Sequence, residues 1–148
     1  MINIDQIKQL REETDVSITD CKKALEEAKG DVKKAKEILK KLGRDFARAK
    51  KKREVKAGMI ESYIHSGKKI GAMVELRCES DFVARSEDFQ KLAHELCLQI
   101  VAILPEETPL LKQPWIRDET KTVRDLIDEY ISKFGENIVV KRFVRYEL

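Results

Sequence analysis

The chain has 148 residues, a net charge of +3, 39% charged and 42% apolar side chains, and only six glycines and three prolines. Soluble domains average about 25% charged residues and about 12% glycine plus proline, so this composition favours long charged helices over a many-turned β-sandwich and excludes collagen, a disulfide scaffold and a wholly disordered chain. No uncharged apolar run approaches the roughly 18 residues of a membrane span, and the start Met1-Ile2-Asn3-Ile4-Asp5 lacks a basic-then-apolar export signal; a cytoplasmic protein is expected.

The charge divides the chain into three. Residues 1–43 are nearly neutral, residues 44–57 carry seven basic side chains against Asp45 and Glu54, and residues 58–148 are mildly acidic. This predicts a three-helix docking module, a basic helical connector and an α+β core. Asn3 with Gln6 forms a capping-box pattern ahead of Ile4, Ile7 and Leu10 at helical spacing. Ser17 with Asp20 opens a second helix whose face is Ile18, Cys21, Leu25 and Ala28. Gly30 fits a left-handed stop and Asp31 the next N-cap; Val32, Ala35, Ile38, Leu39 and Leu42 line a third helix expected to end at Gly43. The connector could meet phosphates through Lys50, Lys51, Lys52 and Arg53, but no aromatic side chain interleaves them to stack on bases. A solvated linker helix is the plainer reading, with a small RNA- or ribosome-binding protein as the alternative.

Beyond the connector the period changes from helical to alternating. Residues 59–65 and 70–79 read as an antiparallel hairpin turning at Ser66-Gly67-Lys68-Lys69, with Ile70, Ala72, Val74, Leu76 and Cys78 on one face. Ser86 caps a helix carrying Phe89, Leu92, Ala93, Leu96, Ile100 and Val101, and the long connection that follows holds all three prolines. Thr122 with Asp125 caps another helix, running to Gly135 along Val123, Leu126, Ile127, Tyr130, Ile131 and Phe134. Residues 138–147 make a last strand, whose Lys141, Arg142 and Arg145 suit an edge. The core is thus β-β-α-α-β, a three-stranded antiparallel sheet with helices on one face. The other face is left for a symmetric partner, so a homodimer through residues 58–148 is expected.

Catalytic machinery is missing. The only histidines are His65, at a strand end beside a turn, and His94, within a helix next to Glu95, both reading as surface or packing residues, and no phosphate-binding or zinc-binding motif occurs. Cys21, Cys78 and Cys97 are widely spaced, which suits buried thiols and leaves an intermolecular disulfide open. No enzyme activity, cofactor or metal is expected. One stretch stands out: Glu79-Ser80-Asp81-Phe82-Val83-Ala84-Arg85, between a strand and a capped helix, sets an aromatic beside an anion. Phe82 either tucks into the core or projects as an interface anchor.

These residues carry a resemblance. Leu10-Arg11-Glu12-Glu13-Thr14, followed by Asp20-Cys21-Lys22-Lys23-Ala24-Leu25, resembles the N-terminal signature of the translation elongation factor Ts family. Residues 75–85 resemble its second signature, with Ser80 where threonine is usual and Arg77 where asparagine or valine is usual, and Gly135-Glu136-Asn137-Ile138 with Arg142-Phe143 resembles its ending. The resemblance implies a guanine-nucleotide exchange factor for elongation factor Tu. It implies a ubiquitin-associated-like helical module docking on the GTPase domain through Arg11, Ile18 and Thr19. It further implies Asp81 and Phe82, flanked by Ser80 and Val83, entering beside the GTPase's magnesium and phosphate site. The core would touch the GTPase's last β-barrel domain, and short members with one core repeat act as homodimers. Neither a membrane nor direct nucleic-acid contact is expected.

Overall fold

The computed structural model describes residues 2–148. Its elements are α1 (Ile4–Thr14), α2 (Ile18–Glu27), α3 (Val32–Lys50), β1 (Ala57–Ile64), β2 (Ile70–Cys78), α4 (Asp81–Ala84), α5 (Glu87–Ala102), a 3₁₀ turn (Leu110–Lys112), β3 (Pro114–Trp115), β4 (Asp118–Thr122), α6 (Val123–Phe134) and β5 (Val139–Glu147). The fold is α+β, with a helical N-terminal region and a three-stranded antiparallel sheet ordered β1-β2-β5.

Local chemistry sets most helix boundaries. The Asn3–Gln6 capping box is present at α1, Ser17 Oγ accepts the Asp20 N–H at 3.2 Å at α2, and Asp31 Oδ1 accepts from Lys33 and Lys34 at α3. Each cap satisfies N–H groups that the first turn leaves without an intrahelical acceptor. α6 has its Thr122–Asp125 capping box and ends at Gly135, whose φ of 70° is the left-handed conformation that stops a helix.

Two apolar clusters result. Leu10, Cys21, Ala24, Leu25, Ala28, Ala35 and Leu39 are buried among α1, α2 and α3. The larger cluster joins the inner sheet face, including Ala72, Val74, Leu76 and Cys78, to α5 and α6.

Four local expectations change. α3 does not end at Gly43 but runs to Lys50, and its inward stripe Ala35, Leu39, Gly43, Ala47 advances by i+4 from one cluster to the other. A Cβ on Gly43 would meet Ser132 of α6 at 3.9 Å, so the glycine sits at a helix–helix crossing. Only the first half of the basic connector is therefore helical. Ile4, Ile18 and Leu42, placed on apolar faces by periodicity, are exposed. Residues 81–84 form a helical turn, and the proline-bearing connection contains the β3–β4 hairpin. That hairpin is tied to α5 by buried amides: Gln99 Nε2 donates to Gln113 Oε1 (2.9 Å) and the Pro114 carbonyl (3.0 Å), and Gln99 Oε1 accepts the Ile116 N–H (3.0 Å).

Candidate partner-binding site

β2 ends at Cys78, and the chain turns sharply into α4. Ser80 is the N-cap: its Oγ accepts the Val83 N–H at 3.3 Å, and its own proton goes to Glu136 Oε2 at 2.6 Å. Ser86 Oγ donates to the Val83 carbonyl at 2.7 Å and accepts the Phe89 N–H at 3.2 Å, so the turn is held at both ends.

Within it, neighbouring side chains face opposite ways. Val83 and Ala84 are buried, whereas Phe82 is 86% exposed. Phe82 therefore projects rather than joining the core. Asp81 is exposed beside it, 3.4 Å from the Arg85 guanidinium. Of the four signature residues singled out by sequence, Asp81 and Phe82 face solvent, Ser80 is half-buried as a cap and Val83 anchors the turn inward. Arg11, Ile18 and Thr19 are exposed on α1 and α2, in the other unit, with Ile18 at the first residue of α2.

The outer sheet face is open. Ile60, Ile64, Met73, Val144 and Tyr146 all stand exposed there. The register places Met73 between Ser62 and Val144, and Gly71 between Ile64 and Tyr146. Glu75 lies between Arg77 Nε (2.6 Å) and Arg142 Nε (2.8 Å), whose hydrogen bonds hold its carboxyl below the usual range. Four of the seven basic side chains of the connector meet partners within the chain: Arg44 pairs with Asp125 at 3.1 Å, Arg53 with Glu79 at 3.5 Å and Lys56 with Glu54 at 3.7 Å, and Lys50 lies over the Phe46 ring.

The remaining reactive groups lie elsewhere. All three cysteines are buried and free, which excludes the intermolecular disulfide without local unfolding. Burial first, then the Glu136 carboxylate, pushes the Cys78 thiol up to about 11; burial pushes Cys97 up to about 12. Such thiols are not nucleophiles at neutral pH. Among the described residues no group of three His, Cys, Asp or Glu side chains is placed to hold a metal, and no helix is long and apolar enough to cross a membrane. Sequence reasoning missed Glu136 as a support of the turn, since nothing local to Gly135-Glu136-Asn137 announces a contact 56 residues away.

Comparison with known proteins places the chain among named relatives. A family model described as "Elongation factor TS" matches residues 79–148, the stretch from the Phe82 turn to the last strand. The elongation factor Ts of Coprothermobacter proteolyticus is 40% identical, with 99% of this chain and 98% of the relative covered. That of Thermotoga maritima is 40% identical over 99% of this chain and 96% of the relative, and that of Moorella thermoacetica 38% over 100% and 96%. The first alignment spans 195 residues, more than the 148 present here, so that relative carries residues this chain lacks.

Proposed function

The chain belongs to the elongation factor Ts family, and we propose that it is a guanine-nucleotide exchange factor for elongation factor Tu, promoting GDP release during translation elongation. The observation that carries this reading is Phe82, an aromatic 86% exposed yet mounted on a turn capped at both ends. An unpaired exposed aromatic contributes little to its own fold, and aromatic anchors dominate binding energy at interfaces.

The mechanism needs no covalent step. A nanomolar nucleotide complex is worth about 12 kcal/mol, and the factor offsets that by favouring a GTPase conformation with disturbed magnesium and phosphate contacts. Phe82 wedges between elements of the GTPase while the Asp81 carboxylate faces the same site. Coupling is reciprocal: the factor weakens nucleotide as much as nucleotide weakens the factor. Binding energy comes from docking, with Arg11, Ile18 and Thr19 of the helical module facing the GTPase domain, while Asp81 and Phe82 perform the release step. Because α3 runs unbroken from one apolar cluster to the other, the two contacts are held at fixed spacing rather than on a loose tether.

A second copy of the chain is the other partner. It covers the apolar outer sheet face, whose central strand carries Met73 at 48% exposure. An isolated soluble chain rarely leaves such a contiguous face uncovered.

The test is release of fluorescent GDP from elongation factor Tu, with and without the full chain. Acceleration that saturates with factor concentration and falls sharply, to a residual rate still above the uncatalysed one, in Phe82→Ala supports the reading; GDP release unchanged by saturating wild-type chain defeats it.

A further inference from the structure

We infer that Glu136 is a positioning residue for nucleotide release, its carboxylate fixing the turn that presents Phe82. This rests on the role of Phe82 proposed above. Phe82 is so exposed that its own side-chain contacts cannot orient it; its direction is set by the backbone of residues 79–83. β2 ends at Cys78, so the N–H groups of Glu79 and Ser80 emerge from the sheet needing an acceptor. Glu136 supplies one. Its Oε1 accepts from Glu79 N at 3.1 Å and Ser80 N at 2.9 Å, and its Oε2 accepts from Ser80 Oγ at 2.6 Å. With its single proton committed to Glu136, Ser80 Oγ turns its lone pairs to the Val83 N–H at 3.3 Å, inside the turn itself.

The support is reciprocal and reaches the end of α3. Glu79 Oε2 accepts the Asn137 N–H at 2.5 Å, so the strand end and the 136–137 turn grip each other from both sides. Asn137 Nδ2 donates to the carbonyls of Arg53 (2.9 Å) and Lys51 (3.4 Å), just past the end of α3. Asn137 is only 2% exposed. Gly135, in its left-handed conformation, ends α6 and aims residues 136 and 137 at this junction. The donor set suits a carboxylate: two N–H groups meet Oε1 and a hydroxyl meets Oε2, and an amide NH₂ in place of Oε2 would oblige the Ser80 hydroxyl to reverse its role and give its proton up elsewhere. A wedge transmits force only as well as its mount resists displacement, so loosening this mount should cost release more than docking.

The experiment measures GDP release from elongation factor Tu against factor concentration for the full chain, Glu136→Ala, Glu136→Gln, Phe82→Ala and the Phe82→Ala/Glu136→Ala double variant, with folding checked by circular dichroism. Glu136→Ala is expected to lower the maximal rate about tenfold while moving the half-saturating concentration less than about threefold, with Glu136→Gln in between. In the Phe82→Ala background the same change should cost nothing further, because a residue that acts through Phe82 has nothing left to position. A maximal rate in Glu136→Ala equal to wild type overturns the inference, as does an undiminished loss in the Phe82→Ala background. Should the alanine variant not fold, Glu136→Gln with a wild-type maximal rate overturns it, and a lowered rate that disappears without Phe82 supports it. A wild-type chain that releases no GDP defeats the role of Phe82, and this inference with it, which a variant-specific result does not.

Discussion

Lys133 Nζ lies 2.8 Å from the Asp15 carboxylate and 3.1 Å from that of Asp88, so one ammonium on α6 ties the loop between α1 and α2 to the start of α5. The contact joins the helical module to the core at a second place beside the α3–α6 crossing. The hydrogen bond that Lys133 donates to Asp15 is the main cause of both the lowered Asp15 carboxyl and the raised Lys133 ammonium.

Its energetic weight should nonetheless be small. Asp15 is an exposed side chain, and exposed pairs are worth about 0–1 kcal/mol. Lys133→Ala is therefore expected to lower stability by less than about 1 kcal/mol in urea melts at neutral pH. The sign with pH follows from the depressed carboxyl: the contribution is present above the ordinary carboxylate value of 3.8 and is lost as pH falls through the lower folded-state value. A difference between wild type and variant that grows on acidification would contradict this assignment.

Gly43 supplies a second test, because a glycine inside a helix carries a penalty of about 0.8–1 kcal/mol relative to alanine. The added Cβ would lie 3.9 Å from both Ser132 Cβ and Oγ, an ordinary contact. Gly43→Ala should thus raise stability by roughly 0.5–1 kcal/mol, seen as a higher urea midpoint with an unchanged slope. A lower midpoint would mean that α3 and α6 approach too closely for any side chain at the crossing.

That glycine also marks where sequence reading stopped short. Caps are local, and Asn3, Ser17, Asp31, Ser86 and Thr122 each fall where a three-residue pattern places them. Gly43 looks like a helix stop by the same local logic, yet α6, which it packs against, lies some 90 residues on. The β3–β4 hairpin is too short and polar to show periodicity and depends on Gln99, an amide inside the apolar pattern of α5. At the turn, Phe82 and Val83 are both apolar, and only the cap geometry set by Ser80 and Glu136 decides which one turns outward. The residue types of the site were legible; their support was not.

Phe82 and Phe89 form a matched pair for separating function from folding. Phe89 is fully buried against Phe134, with ring centroids 6.4 Å apart, whereas Phe82 is 86% exposed. Phe89→Ala should cost about 3–5 kcal/mol of stability, and Phe82→Ala no more than about 0.5 kcal/mol. Nucleotide release should be lost chiefly in Phe82→Ala, measured where both variants are folded. A large stability loss in Phe82→Ala would place its ring in the core.

Asp128 runs opposite to Asp15. It is 9% exposed on α6, and its Oδ1 lies 3.3 Å from Arg124 Nε, an ion pair that lacks good hydrogen-bond geometry. Burial raises its carboxyl despite the positive charges of Arg124 and Lys51, with Asp125 adding to the rise. A raised folded-state value means the charged form is disfavoured by folding, so the penalty is greatest at neutral pH and fades as pH falls through that value. Asp128→Asn is expected to melt higher than wild type at pH 7, with the two converging on acidification toward the ordinary carboxylate value. A variant that melts lower at pH 7 would show that the Arg124 pair outweighs the desolvation.

The outer sheet face allows the assembly to be tested without cutting the chain. Deleting the N-terminal residues would be ambiguous, because Ala47 of α3 is buried in the core cluster and its removal would expose a second apolar surface. Met73 is the better probe. It lies on the central strand, points away from the core, and is flanked in register by Ser62 and Val144. A lysine there stays solvated in a monomer, where exposed substitutions change stability by about 0.5 kcal/mol or less. In a dimer packed through this face the same lysine would be buried near its symmetry mate, adding desolvation and like-charge repulsion without a partner. Sedimentation of the full wild-type chain at micromolar concentration should give twice the 17.2 kDa chain mass, and Met73→Lys should give the single mass while staying folded, with a melting midpoint lowered by no more than the lost association and independent of protein concentration. Wild-type chain that remains at 17.2 kDa across that range, or a variant that dimerises as well as wild type, would show that the outer face is not where the copies meet.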